Sequence, residues 1–402
     1  MRALSVVGLS LLACAPRPLP AERDAPELPA SRERHYTIWL GGARVGSATE
    51  REQWSAHGVT LRRDETMRFL RGDQLVALAT TIEIEADRAL VPSRVAWTEH
   101  GQHDRRADAR REGDRWIMSS GQSLAGAAIP AELVPLVTRR DGGFAGPVFL
   151  PARRFLAGTG RIEAVAPTRL VARIELDGGA IAEATIDVDR DGSYARVVDG
   201  DGVIALRATA EQAARPFEPV DLIAATALPI AGTRTDTLVL DTALVPPPLP
   251  GQLARREPDG VAIALAPARH DARDRIAEIR AIVAQVRRRI APDLGARPGT
   301  AHDAASATAG DCTTFALAYA AHATRRGIAT RLVTGFRIDG ARLVRHRWAI
   351  SWTGRAWIAV DAAFGAVPAG GDLVGLAMHD ADDAGLVAGE ATLAQVHGAA
   401  WR

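Results

Sequence analysis

The feature that most limits what this chain can fold into is a change of hydrophobic period along its length. From His35 to Ala208, apolar-rich segments alternate with turns: His35–Leu40, Val59–Phe69, Val76–Ile84, Leu90–Glu99, Arg115–Ser119, Arg161–Leu176, Ile181–Val188, Ser193–Val198 and Val203–Ala208. Many of them carry β-branched residues at period two, and Gly41-Gly42, Arg71-Gly72-Asp73, Asp177-Gly178-Gly179 and Asp189-Arg190-Asp191-Gly192 separate them. Strand side chains alternate faces and such turns reverse the chain, so the pattern predicts an antiparallel β domain over 35–231. Arg71-Gly72-Asp73 also spells a cell-adhesion tripeptide, but its turn chemistry reads as a hairpin.

After Asp271 the period becomes helical, with Ile276, Ile279, Ile282, Val283, Val286 and Ile290 recurring at three and four residues until Ala291-Pro292 closes the helix. Between the two regimes, Pro246-Pro247-Pro248-Leu249-Pro250-Gly251 continues neither helix nor central strand, which places a linker at 232–268. A second helix is predicted from Cys312 to Gly327, with Cys312, Phe315, Ala316, Tyr319, Ala320 and Ala323 on one face. Strands Thr330–Ile338, Val344–Trp352 and Ala356–Ala363 follow. The expected fold class is α+β: an N-terminal antiparallel β domain and a C-terminal α+β core over 269–402.

The first fourteen residues carry a different signal. Met1-Arg2 precedes an apolar run from Ala3 to Leu12, too short to span a bilayer and fit for a secretory signal peptide over 1–13. Its end, Leu11-Leu12-Ala13-Cys14, resembles the lipobox of bacterial lipoproteins, which implies lipid on Cys14 and a location in the bacterial cell envelope, on the periplasmic face of a membrane. Residues 14–34, rich in Pro, Ala, Arg and Glu without periodicity, then read as a tether. Formal net charge is +1, the basic residues are spread along the chain, and no nucleic-acid partner is expected. All 49 basic residues are Arg, and the chain has no Asn, which removes Asn from every catalytic role.

The chain has two Cys. With Cys14 lipidated, Cys312 has no partner, and a lone thiol in an exported protein is a candidate reactive group. Cys312 sits where a loop becomes a helix, a position whose dipole and free amides favour the thiolate and supply one oxyanion donor. A nucleophilic thiol needs a base and a group to hold that base. If Thr353-Gly354 is a two-residue turn, the flanking strands oppose His346 and Asp361 directly, with Trp348, Ile350, Trp357 and Ala359 on the same face. A turn of odd length would put the two on opposite faces. Elsewhere, His100 and His103 read as a solvated turn, His322 as off the face of the Cys helix, and His379, Asp380, Asp382 and Asp383 as a solvated acidic loop. No metal or cofactor is expected.

Three separated blocks resemble the bacterial transglutaminase-like superfamily. They are Gly310-Asp311-Cys312 with the helix running into Gly327-Ile328-Ala329-Thr330-Arg331-Leu332-Val333-Thr334-Gly335, then His346-Arg347-Trp348-Ala349-Ile350, then Trp357-Ile358-Ala359-Val360-Asp361-Ala362-Ala363-Phe364-Gly365. The resemblance implies a papain-like α+β core in which Cys312 is the nucleophile, His346 the general base and acid, and Asp361 the residue that orients His346. Family members often carry Pro where Ala362 stands. A second oxyanion donor has no clear counterpart, with His302 and Ser306 as candidates. The N-terminal half, through Tyr36 to Gly46, Asp189-Arg190-Asp191-Gly192 and Ala208-Thr209-Ala210-Glu211-Gln212-Ala213, is similar to the β domain of some periplasmic transglutaminase-like proteins. The implied activity is an envelope-anchored thiol hydrolase or acyltransferase acting on peptide or amide bonds of an envelope substrate. The alternative is a non-catalytic envelope lipoprotein that uses the fold as a binding scaffold.

Overall fold

The computed structural model of this chain describes residues 29–402, except 102–103, 178–180, 190–192, 201, 268–274 and 297–299. The signal segment, Cys14, most of the tether and His103 lie outside the described residues. Fifteen strands between Arg32 and Ala208 form one sheet in which the first, Arg32–Leu40, pairs with both Ala43–Ser55 and Ile204–Ala208. Pairing is antiparallel throughout, apart from a short parallel contact of Phe144–Leu150 with Ile129–Pro130.

The sheet twists until its two ends meet, as a large sheet of right-twisted strands does. Trp116 near one edge packs edge-on against Phe149 near the other, with ring centroids 5.2 Å apart, and both are fully buried. The Trp116 indole N–H donates to the Ala128 carbonyl at 2.8 Å, so its polar atom is satisfied inside this core. Ala43–Ser55 escaped the sequence reading because its alternation is broken by an inward ion pair. Glu52 is buried to 1% exposure and accepts from Arg34 at 3.1 Å and from Arg139 at 2.6 Å. Arg161–Leu176 is not one strand but two, Leu156–Ala166 and Arg169–Leu176, paired with each other.

The C-terminal half also rests on a sheet. Its order runs Gln252–Glu257, Gly260–Leu265, Thr237–Asp241, Gly398–Trp401, Leu228–Ala231, Arg342–Trp352, Thr330–Asp339, Leu373–His379, with Trp357–Asp361 branching from Arg342–Trp352. The expected α+β architecture, a separate β domain joined to a papain-like core, is therefore corrected. Of the described residues, 53% are in strands and 19% in helices, in two large sheets with the first curled toward a barrel. Residues expected to form a linker instead supply three strands, and the C-terminal strand Gly398–Trp401 pairs with Thr237–Asp241. Local proline chemistry misled here: Pro246–Pro250 interrupts the chain only between Thr237–Asp241 and Gln252–Glu257, while Leu238, Leu240, Val261 and Ile263 on either side are completely buried.

Of the helices packed against this second sheet, two shape the site. Ile276–Arg289 buries Ile276, Ile279, Ile282, Val283 and Val286, the stripe its period predicts. Cys312–Arg325 lies against it and buries more than one stripe, since Thr314, Leu317 and Ala318 are enclosed as well as Phe315, Tyr319 and Ala323. A helix buried nearly all round is one with structure on every side, and here Ile276–Arg289, Thr330–Asp339 and Arg342–Trp352 supply that cover.

Glu132 is a costly group in the interior of the first sheet. Glu132 Oε2 is enclosed without a hydrogen-bond partner, and burial pushes the Glu132 carboxyl up to about 7. An acid whose folded pKa lies above its unfolded value contributes stability that is complete at low pH and lost as pH rises through the folded pKa. Unfolding titrations between pH 4.5 and 8 should show stability falling by at most about 3 kcal/mol from this group. Glu132→Gln should flatten that slope, and an unchanged slope would contradict the assignment.

Candidate active site

The loop before Cys312 is pinned to the end of the first helix, since Ala291 and Asp293 donate their amides to the carbonyls of Thr308 and Gly310 at 2.8 and 3.0 Å. Gly310 is required there by space: a Cβ would fall 2.1 Å from Thr314 Oγ1. Asp311 then caps the helix, its Oδ1 accepting the amides of Thr313 and Thr314 at 3.0 and 3.3 Å. Cys312 follows as the first helical residue, a free and partly exposed thiol at the positive end of the helix dipole.

The second oxygen of Asp311 meets a residue from the other half of the molecule. Arg71, at the tip of the hairpin formed by Gly58–Arg71 and Gln74–Asp87, donates Nη1 to Asp311 Oδ2 at 2.9 Å and to the Leu294 carbonyl at 2.6 Å. Two further bonds seat the tip, Gly72 N–H to Asp221 Oδ1 at 3.0 Å and Gly295 N–H to Gln74 Oε1 at 2.6 Å. The tripeptide Arg71-Gly72-Asp73 is thus a hairpin turn, and its arginine reaches the carboxylate that caps the Cys312 helix. Nothing in the local sequence could have shown this pairing across 240 positions.

His346 Nε2 lies 2.8 Å from Asp361 Oδ2, and both side chains are buried. The register that brings them together differs from the sequence expectation. Thr353 closes a longer turn, its amide and hydroxyl both donating to the Ala356 carbonyl at 2.9 and 3.0 Å. Trp352 therefore pairs with Trp357, and His346 and Asp361 are diagonal rather than direct neighbours. Because the turn is lengthened by an even number of residues, both stay on one face, which is why the contact survives the shift. Trp348 stacks on the imidazole at 5.9 Å and Phe364 meets it edge-on at 5.5 Å. Trp357, expected in this wall, is 39% exposed and packs on Trp352 instead.

Burial opposes charge on His346, but the Asp361 hydrogen bond and a hydrogen bond with the Cys312 sulfur outweigh it and push the imidazole up to about 10. With Nε2 committed to Asp361, Nδ1 is the nitrogen left for the thiol. The other Asp361 oxygen accepts the Phe364 amide at 3.2 Å, so the carboxylate is fixed from two directions.

Beside this pair lies a buried polar network that sequence reasoning missed. Arg347, 3% exposed, donates to Thr313 Oγ1 at 3.1 Å, Thr334 Oγ1 at 2.9 Å and Glu390 Oε1 at 3.0 Å. His379, read from sequence as part of a solvated loop, is buried instead. Its Nε2 is 2.9 Å from Thr334 Oγ1, and burial together with the Arg347 charge brings it down to about 4. Of the two oxyanion candidates, His302 is exposed, while Ser306 lines the site with its hydroxyl donated to the Asp303 carbonyl at 3.3 Å. Among the described residues no cluster of three or more His, Cys, Asp or Glu could hold a metal ion, and no helix is long and apolar enough to cross a membrane.

Cys312 and His346 open into a cavity of about 750 Å³ whose opposite wall is the first sheet. Residues 264–362 match the profile of the transglutaminase-like superfamily. The chain carries a transglutaminase-like domain. The match spans Cys312, His346 and Asp361 and leaves the first sheet outside it. No curated protein matches the chain. Among solved structures, a β-barrel-like protein of the domain of unknown function DUF1849 from Brucella abortus is similar at 13% identity and a TM-score of 0.34, over 44% of this chain and 95% of that one. A DUF1089 family protein from Pseudomonas aeruginosa is similar at 10% identity and a TM-score of 0.28, over 37% of this chain and 87% of that one.

The Arg71 contact makes the first sheet part of the transglutaminase-like site, and a double-mutant cycle tests this. Arg71→Ala should cost about 2 kcal/mol in urea unfolding by leaving the buried Asp311 carboxylate half paired. In an Asp311→Asn background, where the cap survives without the charge, the same substitution should cost distinctly less. Strictly additive costs would show that the pair is not coupled.

Proposed function

We propose that this protein is a thiol hydrolase or acyltransferase that cleaves amide or peptide bonds through Cys312, His346 and Asp361. The observation that supports it is the buried imidazole held between a carboxylate at 2.8 Å and a free thiol at the mouth of a cavity. An imidazolium beside a sulfur at a helix N-terminus favours the thiolate, the nucleophilic form. The thiolate adds to the amide carbonyl, and the Cys312 backbone amide is placed to stabilise the oxyanion. His346 then protonates the leaving amine as the C–N bond breaks, which leaves a thioester and a neutral imidazole. That imidazole takes a proton from water, or from an acceptor amine, as it attacks the thioester. The products are a carboxylic acid or a new amide, with thiolate and imidazolium regenerated. Asp361 fixes the ring orientation and stabilises its charge throughout. Lipid on Cys14 would hold this chemistry at a bacterial envelope membrane, and mass spectrometry of the mature N-terminus tests it: a start beyond residue 14 without lipid removes the anchor.

Carboxamidomethylation of Cys312 by iodoacetamide, followed by peptide mass spectrometry, tests the ion pair without a known substrate. At pH 6 the native protein should react roughly 10- to 100-fold faster than His346→Ala, whose thiol must deprotonate unaided, with the gap closing by pH 9. Turnover should vanish in Cys312→Ala, and Asp361→Ala should lower it by a factor on the order of 10⁴, as loss of an orienting carboxylate does in a related triad. A scaffold protein that merely retains these residues predicts equal alkylation rates in native and His346→Ala protein at pH 6. That outcome would end the enzymatic reading.

A further inference from the structure

The cavity in front of Cys312 is much larger than a triad needs, and its far wall differs in character from its near wall. Near the thiol it is polar, with Thr313, His346, Arg347 and Glu390. Across from them the inner face of the first sheet presents Val45, Met67, Phe69, Val76 and Leu78, of which Met67 and Leu78 are only partly buried. A second cavity of about 350 Å³ shares Met67, Leu78, Trp97, Glu99 and Ala152 with the first and reaches Ile82. The two cavities adjoin through these shared residues, with the thiol in the first and the Arg63–Glu65 pair and Glu132 in the second, so the apolar stretch between them is Met67, Leu78 and Trp97.

The charges lining the main cavity do not add up to a binding site for an ion. Arg71 is paired with Asp311, Arg105 with Glu99 and with Asp303 at 3.8 Å, Asp104 with His100 at 3.1 Å, and Arg347 with Glu390 at 3.0 Å. Arg153 and Arg345 are likewise engaged. A charged substrate would have to displace one of these pairs, whereas an uncharged apolar chain would gain by covering Met67, Phe69 and Leu78. The cavity volume is that of a site which encloses most of a small ligand.

The geometry points to a neutral amide bearing a long apolar chain as the substrate, with its carbonyl at Cys312 and its chain along the inner face of the first sheet. This inference rests on the thiol chemistry proposed above and narrows its substrate class. It also gives the sheet a function, that of the substrate-holding wall.

A series of N-alkyl iodoacetamides, from the unsubstituted reagent to N-octyl, tests it on the full chain by the rate of Cys312 labelling. If the chain occupies the groove, the rate relative to a free model thiol should climb by up to about fourfold per added methylene until the groove is filled. A reagent of octyl length ending in a carboxylate should lose that gain. Met67→Glu and, separately, Leu78→Gln should flatten the ratio of octyl to parent rate, a ratio that cancels any change in the thiol itself. Rates independent of chain length, or fastest with the carboxylated reagent, would overturn the apolar groove while leaving the nucleophile in place. A Cys312 that reacts with no member of the series would overturn the thiol chemistry and the inference with it.

Discussion

A charged imidazole enclosed in apolar surroundings is the constraint around which this site is arranged. Burying a cation is costly unless it is paired, and His346 is 7% exposed between Trp348 and Phe364. Two groups offset that cost: Asp361, held at 2.8 Å and anchored again by the Phe364 amide, and the sulfur of Cys312. The hairpin that carries His346 and Asp361 and the helix that carries Cys312 must therefore be locked against each other. The packing of Phe315, Ala316 and Tyr319 on Leu332, Ala349 and Ile358 does this, reinforced by the Tyr319 hydroxyl 2.8 Å from Ser351 Oγ.

Asp311 extends the same logic to the whole molecule. One oxygen caps the helix that presents the thiol, and the other is held by an arginine from the first sheet. Arg71 pairs with this carboxylate, one residue from Cys312, from outside the transglutaminase-like domain. Arg105, paired with Asp303, bridges the two halves on another side of the same cavity. The first sheet is thereby bound to the site at its rim and supplies the cavity wall opposite Cys312.

The amount that could be read from the sequence follows how local each cause is. The helix Ile276–Arg289 declared itself because burial of a stripe imposes its own period, and the Cys helix because its face from Cys312 to Ala323 repeats at helical spacing and Gly327 marks its end. The meeting of His346 and Asp361 depended only on an even turn length, so it survived an error in the turn itself. The near-barrel sheet, the strands within the expected linker and the Arg71 contact are set by partners distant in sequence. Local signals such as Pro246–Pro250 point the other way. His379 was misread for the same reason: an acidic stretch looks solvated until Thr334 and Arg347 enclose its histidine.

The central claim is that His346 is an imidazolium held by both Asp361 and Cys312, and the titration of its ring followed by nitrogen-15 NMR tests it most directly. The account predicts that the ring stays protonated past pH 9, and that Asp361→Asn moves its titration lower because burial is then opposed by the Cys312 sulfur without the Asp361 carboxylate. A ring in the native protein that loses its proton at or below pH 7 would contradict the account.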